Sequence, residues 1–279
     1  MLDAVIHPIQ QRSRGRSFAA FAALRGAVRL VDLHQAGSAK VMFPRPAGPV
    51  PEVVFLNTSG GLTGGDDLGF RLDLGPDCRA LATTQTAERA YASTGETAAL
   101  TFHAHVGAGS RLDWMPQETL LYQQSHLTRR TEIDLAPDAE CLLAEMVVLG
   151  RPAMGERVTA ARLTDHRLVR RAGRPVWADS LHLTPATLTN PSPALLGGAR
   201  AFAVICLMAQ GAEDAVTAVR AALGDGLGDA LGAVSGWDGR CVVRMQAVDG
   251  WPLKQQMARI LHILTGRPLP RVWASGGIR

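Results

Sequence analysis

Through most of the first 180 residues, apolar and polar side chains alternate with a period of two. In Phe-Arg-Leu-Asp-Leu, Phe70, Leu72 and Leu74 share one face while Arg71 and Asp73 share the other, the pattern of a half-buried strand. The same reading predicts strands over 53–56, 79–84, 98–106, 111–115, 131–135 and 141–149. Gly-Pro, Gly-Ala-Gly and Ala-Pro-Asp punctuate them, and Gly75-Pro76-Asp77 is a turn between two of them. Strands at intervals of about ten residues with turns between them predict a mainly β body.

Past residue 180 the pattern changes. Three prolines and two closing glycines over 181–198 exclude a regular helix there, and an apolar run over 201–208 predicts a buried strand. Val216, Val219 and Leu223 recur at helical spacing, with Gly224 at the position of a C-terminal cap. A second helix is drawn more sharply. Pro252 suits a first turn, Leu253, Met257, Ile260, Leu261 and Leu264 form one apolar stripe, and Gly266 and Pro268 end it. Such a stripe either packs on the sheet or is gripped by a partner protein.

The 279 residues are 47% hydrophobic and 19% charged, which excludes a disordered or fibrous chain. No apolar run reaches the ~18–20 residues of a membrane span. The start, through about residue 17, is basic and lacks a secretory h-region, so a mobile cytoplasmic N-terminus is expected. The net charge of +4 comes from arginine, with Lys40 and Lys254 the only lysines. The arginines are scattered and do not alternate with aromatics, so no nucleic-acid platform is expected. Cys78, Cys141, Cys206 and Cys241 have apolar neighbours and no C-x-x-C spacing, which predicts buried free thiols.

Several chemistries are missing. The loop Gly60-Gly61-Leu62-Thr63-Gly64-Gly65 ends in Asp66-Asp67 rather than Lys-Ser, and two carboxylates there would repel a phosphate. Neither G-x-S-x-G nor H-E-x-x-H occurs. His103 and His105 fall on one face of a strand, about 7 Å apart, and two histidines do not complete a metal site.

Five stretches carry a resemblance. Asn57-Thr58-Ser59-Gly60-Gly61-Leu62-Thr63-Gly64-Gly65-Asp66 is close to Asn-Pro-Pro-Gly-Gly-x-x-Gly-Gly-Asp, and Thr83-Thr84-Gln85-Thr86-Ala87-Glu88-Arg89-Ala90-Tyr91 to Thr-Thr-Gln-x-Ala-x-Lys-x-Tyr. Leu112-Asp113-Trp114-Met115-Pro116-Gln117-Glu118 matches Leu-x-Trp-Leu-Pro-Gln-Glu, and Leu149-Gly150-Arg151-Pro152-Ala153-Met154-Gly155-Glu156 matches Leu-Gly-Arg-x-Ala-x-Gly-Glu. Pro270-Arg271-Val272-Trp273 matches a closing Pro-Arg-x-Trp. In this order they resemble the urease accessory protein family UreD, called UreH in some species. Thr58-Ser59 in place of prolines leaves that turn less rigid, and Arg89 in place of Lys keeps the charge.

The resemblance implies one UreD-like domain over 1–279, a β-helix-like body of stacked strands with a few helices. It implies a scaffold without catalysis that binds UreF, and through it the GTPase UreG, on apo-urease in the cytoplasm. Nickel would pass through a water-filled tunnel, with no metal or cofactor held tightly. Oxygen ligands suit such transit because they bind Ni(II) less tightly than imidazole or thiolate. Asp66, Glu88, Glu118, Glu145 and Glu156 are the candidate lining of that passage or its mouths, and Leu253, Met257, Leu261, Arg271 and Trp273 the candidate partner contacts. Taken alone, the residues leave plainer roles open. Asp66 can simply hold the glycine turn, and Glu145 can be a buried salt bridge, for instance with Arg151. The alternatives in other classes are a carboxylate-dependent hydrolase on a β-rich fold and a nucleic-acid binder using the arginine clusters.

Overall fold

The computed structural model describes residues 12–45, 48–224 and 230–274. Its first sheet contains β1 (Arg14–Leu24), β2 (Ala27–Gly37), β5 (Asp67–Leu74), β8 (Ala98–Val106), β11 (His126–Leu135), β13 (Arg162–Arg171) and β14 (Arg174–Leu183). The second contains β3 (Ala39–Met42), β4 (Glu52–Asn57), β6 (Arg79–Thr84), β9 (Arg111–Trp114), β12 (Glu140–Leu149), β15 (Ala201–Met208), β16 (Leu231–Trp237) and β17 (Arg240–Ala247). The short β7 (Glu88–Ala90) and β10 (Thr119–Leu121) pair with each other, and β10 joins β12 at one margin of the second sheet.

The chain winds between the two sheets. β5, β8, β11 and β13 pair in parallel with unbroken register on one wall, and β4, β6, β9 and β12 on the other. Each coil therefore stacks one strand-width above the last, the β-helix-like arrangement that the resemblance implied. Antiparallel hairpins close the ends: β1–β2 on β5, β13–β14, and β15–β17–β16 on β12. The strands predicted over 79–84, 98–106 and 201–208 match in both bounds, that over 111–115 ends one residue early at Trp114, and the others lie within longer strands. The long hairpin β1–β2 was not predicted: β1 buries every second residue, but as Gly15, Ser17, Ala19 and Phe21, and β2 is exposed over most of its length. The expectation of a mobile start falls mainly on residues 1–11, outside the described residues, and Arg14 already begins β1.

Stacking turns the period-two pattern into rows. Leu72, Ala104, Ile133 and Val169 form one inward row, each paired in register with the next. With Val53, Phe55, Leu112, Leu143 and Val147 from the facing wall they make the main core. His103 and His105 point outward from β8, as predicted, and His103 Nε2 lies 2.8 Å from Asp134. All four cysteines are free and buried.

Helices α2 (Val216–Gly224), α3 (Gly250–Thr265) and α4 (Arg271–Ala274) cover the outer face of the second sheet, while the short α1 (Pro185–Thr189) packs Leu188 against the main core. Asp249 caps α3 by accepting from Trp251 N at 2.8 Å, and Gly266 ends it in the left-handed region at φ 60°. Leu253, Met257, Ile260, Leu261 and Leu264 pack with Ile205, Val243 and Met245 in a second core. This corrects their assignment as partner contacts: Leu253, Met257 and Leu261 are fully buried because the stripe covers the chain's own sheet. The solvent side of α3 carries Trp251, Arg259 and Ile263 instead. Trp273 is buried too and donates from Nε1 to Met115 O at 2.9 Å, while Arg271 remains exposed and donates to Arg45 O at 3.3 Å. None of these helices is long and apolar enough to cross a membrane.

Leu261→Ala is expected to cost about 2–5 kcal/mol in urea denaturation, because a fully buried side chain leaves a cavity. Ile263→Ala on the same helix is expected to cost under about 1 kcal/mol.

Candidate functional site

The stacked rows are not apolar throughout. Leu68 and Leu100 are followed in register by Arg129 and Asp165, and Phe70 and Phe102 by Thr131 and Arg167. Charges thus enter the interior at β11 and β13, on the parity that elsewhere faces the core. Across from them Glu145 projects inward from β12, between Leu143 and Val147. Burying four charges in a dry interior requires that each be paired and hydrogen-bonded.

The pairing is complete. Arg129 lies in a fork on Asp165, Nε to Oδ1 at 2.9 Å and Nη2 to Oδ2 at 2.5 Å, and donates from Nη1 to Thr119 at 3.0 Å. Arg167 donates from Nε to Glu145 Oε2 at 2.7 Å, from Nη2 to Asp165, and from Nη1 to Asp179 at 2.9 Å. Glu145 Oε1 accepts from Thr131 at 2.6 Å and from Trp114 Nε1 at 3.3 Å. Trp114 is held by stacking on Phe102, centroids 3.6 Å apart. Glu145 is therefore salt-bridged, with Arg129 and Arg167 rather than with the Arg151 suggested from sequence. Burial pushes its carboxyl up, but the two guanidinium groups and the Thr131 hydrogen bond outweigh that and hold it well below the usual carboxylate range.

Space adjoins this quartet on both sides. A cavity of about 30 Å³ is bounded by Glu88, Thr84, Gln117, Thr119, Arg129, Thr131 and Glu145 together with the apolar Phe70, Leu100, Phe102, Trp114 and Pro116. A second of about 30 Å³, lined by Asn57, Gly60, Gly61 and Arg89, shares Phe70, Thr84 and Glu88 with the first. Each exceeds the roughly 10–15 Å³ that one water needs. On the far side, Arg167 and Asp179 line a groove of about 480 Å³ with Arg244, Leu181, Phe202 and Met245. A polar seam therefore crosses the body from Glu88, through the quartet, to Asp179.

Glu88 differs from the other seam carboxylates. Its oxygens accept from Asn57 Nδ2 at 3.1 and 3.3 Å and from the backbone N–H of Arg89 at 3.2 Å, and no ion pair holds it among the described residues. Burial raises its carboxyl to about 7, against the opposing pull of those hydrogen bonds and the Arg89 charge.

The other sequence candidates lie elsewhere. Asp66 holds the glycine turn, accepting from Ser13 N at 2.7 Å and Thr63 N at 2.8 Å. That turn needs Gly61, whose φ is 151° and whose Cβ would meet Tyr91 at 2.3 Å. Glu118 pairs with Lys254 at 2.8 Å, tying the loop after β9 to α3. Glu156 pairs with Arg151 at 2.8 Å beside an outer groove lined by 188–191 and 196–200. The structure thus brings Glu88 and Glu145 to one cavity and leaves Asp66, Glu118 and Glu156 off its lining. Sequence reasoning missed Arg129, Asp165, Arg167 and Asp179. The signal was present: in Leu127-x-Arg129-x-Thr131-x-Ile133 and Leu163-x-Asp165-x-Arg167-x-Val169, charges occupy the apolar parity.

Chemically, the cavity sets Glu88, whose carboxyl keeps its proton to about pH 7, beside Glu145, which is held ionised with its oxygens taken by Arg167, Thr131 and Trp114. Among the described residues, no group of three His, Cys, Asp or Glu side chains is placed to hold a metal.

Fold and site together define a β-solenoid with a charged seam in its interior. The profile of the family described as "UreD urease accessory protein" matches residues 13–274. A urease accessory protein UreD of Cereibacter sphaeroides is 53% identical over 264 residues, covering 94% of this chain and 95% of the relative. That of Paracoccus denitrificans is 47% identical, covering 98% and 96%, and that of Rhizobium leguminosarum bv. trifolii 39% identical, covering 98% and 99%. The chain belongs to the UreD family of urease accessory proteins.

Because the folded chain keeps the Glu88 proton up to about pH 7 while the unfolded chain releases it near 4.5, stability contributed by this group falls as pH rises through that window. Glu88→Gln removes the dependence. In urea denaturation the variant is expected to match the native chain near about pH 4 and exceed it by up to about 3 kcal/mol at about pH 8.

Proposed function

We propose that this chain is a non-catalytic scaffold that binds UreF and, through it, the GTPase UreG on apo-urease, and that nickel reaches the urease active site along its seam. Family membership supports the accessory role. The observation that carries the transit reading is the polar seam from Glu88 through Glu145 and Arg167 to Asp179, crossing an otherwise apolar interior. Nickel is the cargo, and neither a metal nor a cofactor is held tightly.

Its donors fit a moving ion. They are carboxylate, hydroxyl and amide oxygens, which bind Ni(II) more weakly than imidazole or thiolate does. The cysteines, which would trap it, are buried in apolar surroundings, and burial pushes the Cys141 thiol up to about 12, so no thiolate competes there. Glu88, without an ion-pair partner among the described residues, is the first carboxylate an ion would meet on its side of the quartet. On this reading the chain works in the cytoplasm, with neither nucleic acid nor membrane as partner. UreF is expected to meet the solvent side of α3 and the exposed Arg271, since the apolar stripe is covered.

The test is co-expression with urease and the other accessory proteins, followed by measurement of nickel in purified urease. Glu88→Ala and Glu145→Gln are each expected to lower nickel content at least tenfold while the chain still co-purifies with UreF. His103→Gln, on the outer face, is expected to stay within twofold. Full nickel loading by both seam variants overturns the transit reading.

A further inference from the structure

β2 is the outermost strand of the first sheet, and among the described residues no strand pairs with its free edge. It runs eleven residues, Ala27–Gly37, without a lysine or a proline. Edge strands are ordinarily kept short, charged or covered, because their unpaired N–H and C=O groups recruit another strand. Two other margins are blunted in that way. β3 has four residues, and its Val41 N–H is taken by Gln35 Oε1 at 2.9 Å. β14 carries Pro175, and Arg240 Nε donates to its Val176 O at 2.8 Å.

A bulge sorts the side chains of β2. Ala20 pairs with Asp32 and Phe21 with Leu30, so Val31 is the extra residue. Residues opposite each other in an antiparallel pair share a face. Val28, Leu30 and Leu33 therefore lie on the inner face with Ala23, Phe21 and Ala19, and Arg29 and Asp32 on the outer face with Ala22 and Ala20. Without the bulge, Leu30 and Leu33 would face opposite ways, as would Arg29 and Asp32. Leu30 and Leu33 are 39% and 42% exposed. Neither Arg29 nor Asp32 has an ion-pair partner among the described residues.

The same register sorts the backbone groups. Arg25 and Gly26, at φ 52° and 78°, form the two-residue turn, which makes Leu24 and Ala27 a hydrogen-bonded pair. Alternation then turns the N–H and C=O of Val28 and Leu30 to the free edge. At the other end Ser38 N donates to Arg14 O at 3.1 Å, which leaves Leu33 and Gln35 facing outward likewise.

This strand is complementary to itself. Laid antiparallel on a second copy with a two-fold axis at Leu30, it sets Leu30 against Leu30, Val28 against Leu33 and Arg29 against Asp32, the last two pairs each occurring twice. The free hydrogen-bonding positions coincide. Each arginine meets a carboxylate at a non-hydrogen-bonded pair, where side chains stand closest. Moving the axis to Arg29 or to Asp32 would set like charges on each other.

We propose that β2 is a homotypic interface: two copies of this chain join edge to edge through it, antiparallel and two-fold symmetric, and continue the seven-stranded sheet across the dimer. The contact goes beyond the accessory role and does not depend on the nickel reading.

The test is sedimentation velocity of the full chain at rising concentration. An edge contact of this kind stands at the weak end of specific interfaces, so half-association is expected on the order of 10 μM. Arg29→Asp and Asp32→Arg each set like charges opposite each other twice, and each is expected to weaken self-association roughly tenfold or more. Mixed in equal amounts, the two variants restore both opposite-charge pairs, and dimers between them are expected within about threefold of the native affinity. That rescue reads the register, since a variant weakened by misfolding is not mended by mixing. Leu30→Pro, which removes an N–H on the free edge, is expected to abolish the dimer, and it decides the matter if a charge variant fails to fold by circular dichroism. A native chain still monomeric at about 100 μM overturns the proposal. So does a dimer that survives the charge reversals or Leu30→Pro, or a mixture of folded charge variants that stays monomeric.

Discussion

A charge buried between two sheets has no water to solvate it, so every guanidinium and carboxylate inside this body must find its counterpart there. Arg129, Asp165, Arg167 and Glu145 meet that demand by binding one another, with Thr119, Thr131, Trp114 and Asp179 completing the shell. Pairing of this kind adds little net stability compared with apolar packing, and removing one member leaves an uncompensated charge. A core of leucine and valine would serve the fold as well. The four charges stand where the neighbouring coils carry Leu68, Phe70, Leu100 and Phe102.

The solenoid makes such a seam possible. In parallel stacking, each residue lies directly over its counterpart in the next coil, so a change of residue type along a row becomes a change of environment across the body. The first two coils keep the aromatic row that ends in the Phe102–Trp114 stack. The next two replace it with hydroxyl and charge. Glu88 and its cavities mark one approach to that boundary, and the groove at Asp179 and Arg244 marks the other. α3 and α4 cover the opposite face of the second sheet, and Asp113, bonded to Arg111 and to Arg267 at 3.0 Å, ties that sheet to the end of α3.

Much of the fold was legible. Strands with strict alternation, such as Ala98–Val106, were bounded correctly because one face meets the core and the other meets water. Helix α3 was legible because its apolar positions fall on one side. β2 was not, since most of it is exposed on both faces and no burial imposes a period. The site was legible in half. Glu145 drew notice as a carboxylate inside an apolar run, while Asp66, Glu88, Glu118 and Glu156 drew it through motif position, and the ordinary partners of Asp66, Glu118 and Glu156, namely Thr63, Lys254 and Arg151, emerge only in three dimensions.

By itself, then, the sequence determined the β-rich class, the C-terminal helix, the buried thiols and, through five ordered motifs, the family. These follow from local periodicity and from short segments that carry their own signature. Tertiary structure alone decided which charges meet. Arg129 and Asp165 are 36 positions apart and Arg167 and Glu145 are 22 apart, yet each pair is in contact. No local rule joins them, because their proximity comes from coil stacking and from the facing of the two sheets. The same stacking turned the apolar stripe of α3 inward, since the nearest surface able to remove it from water was the chain's own sheet.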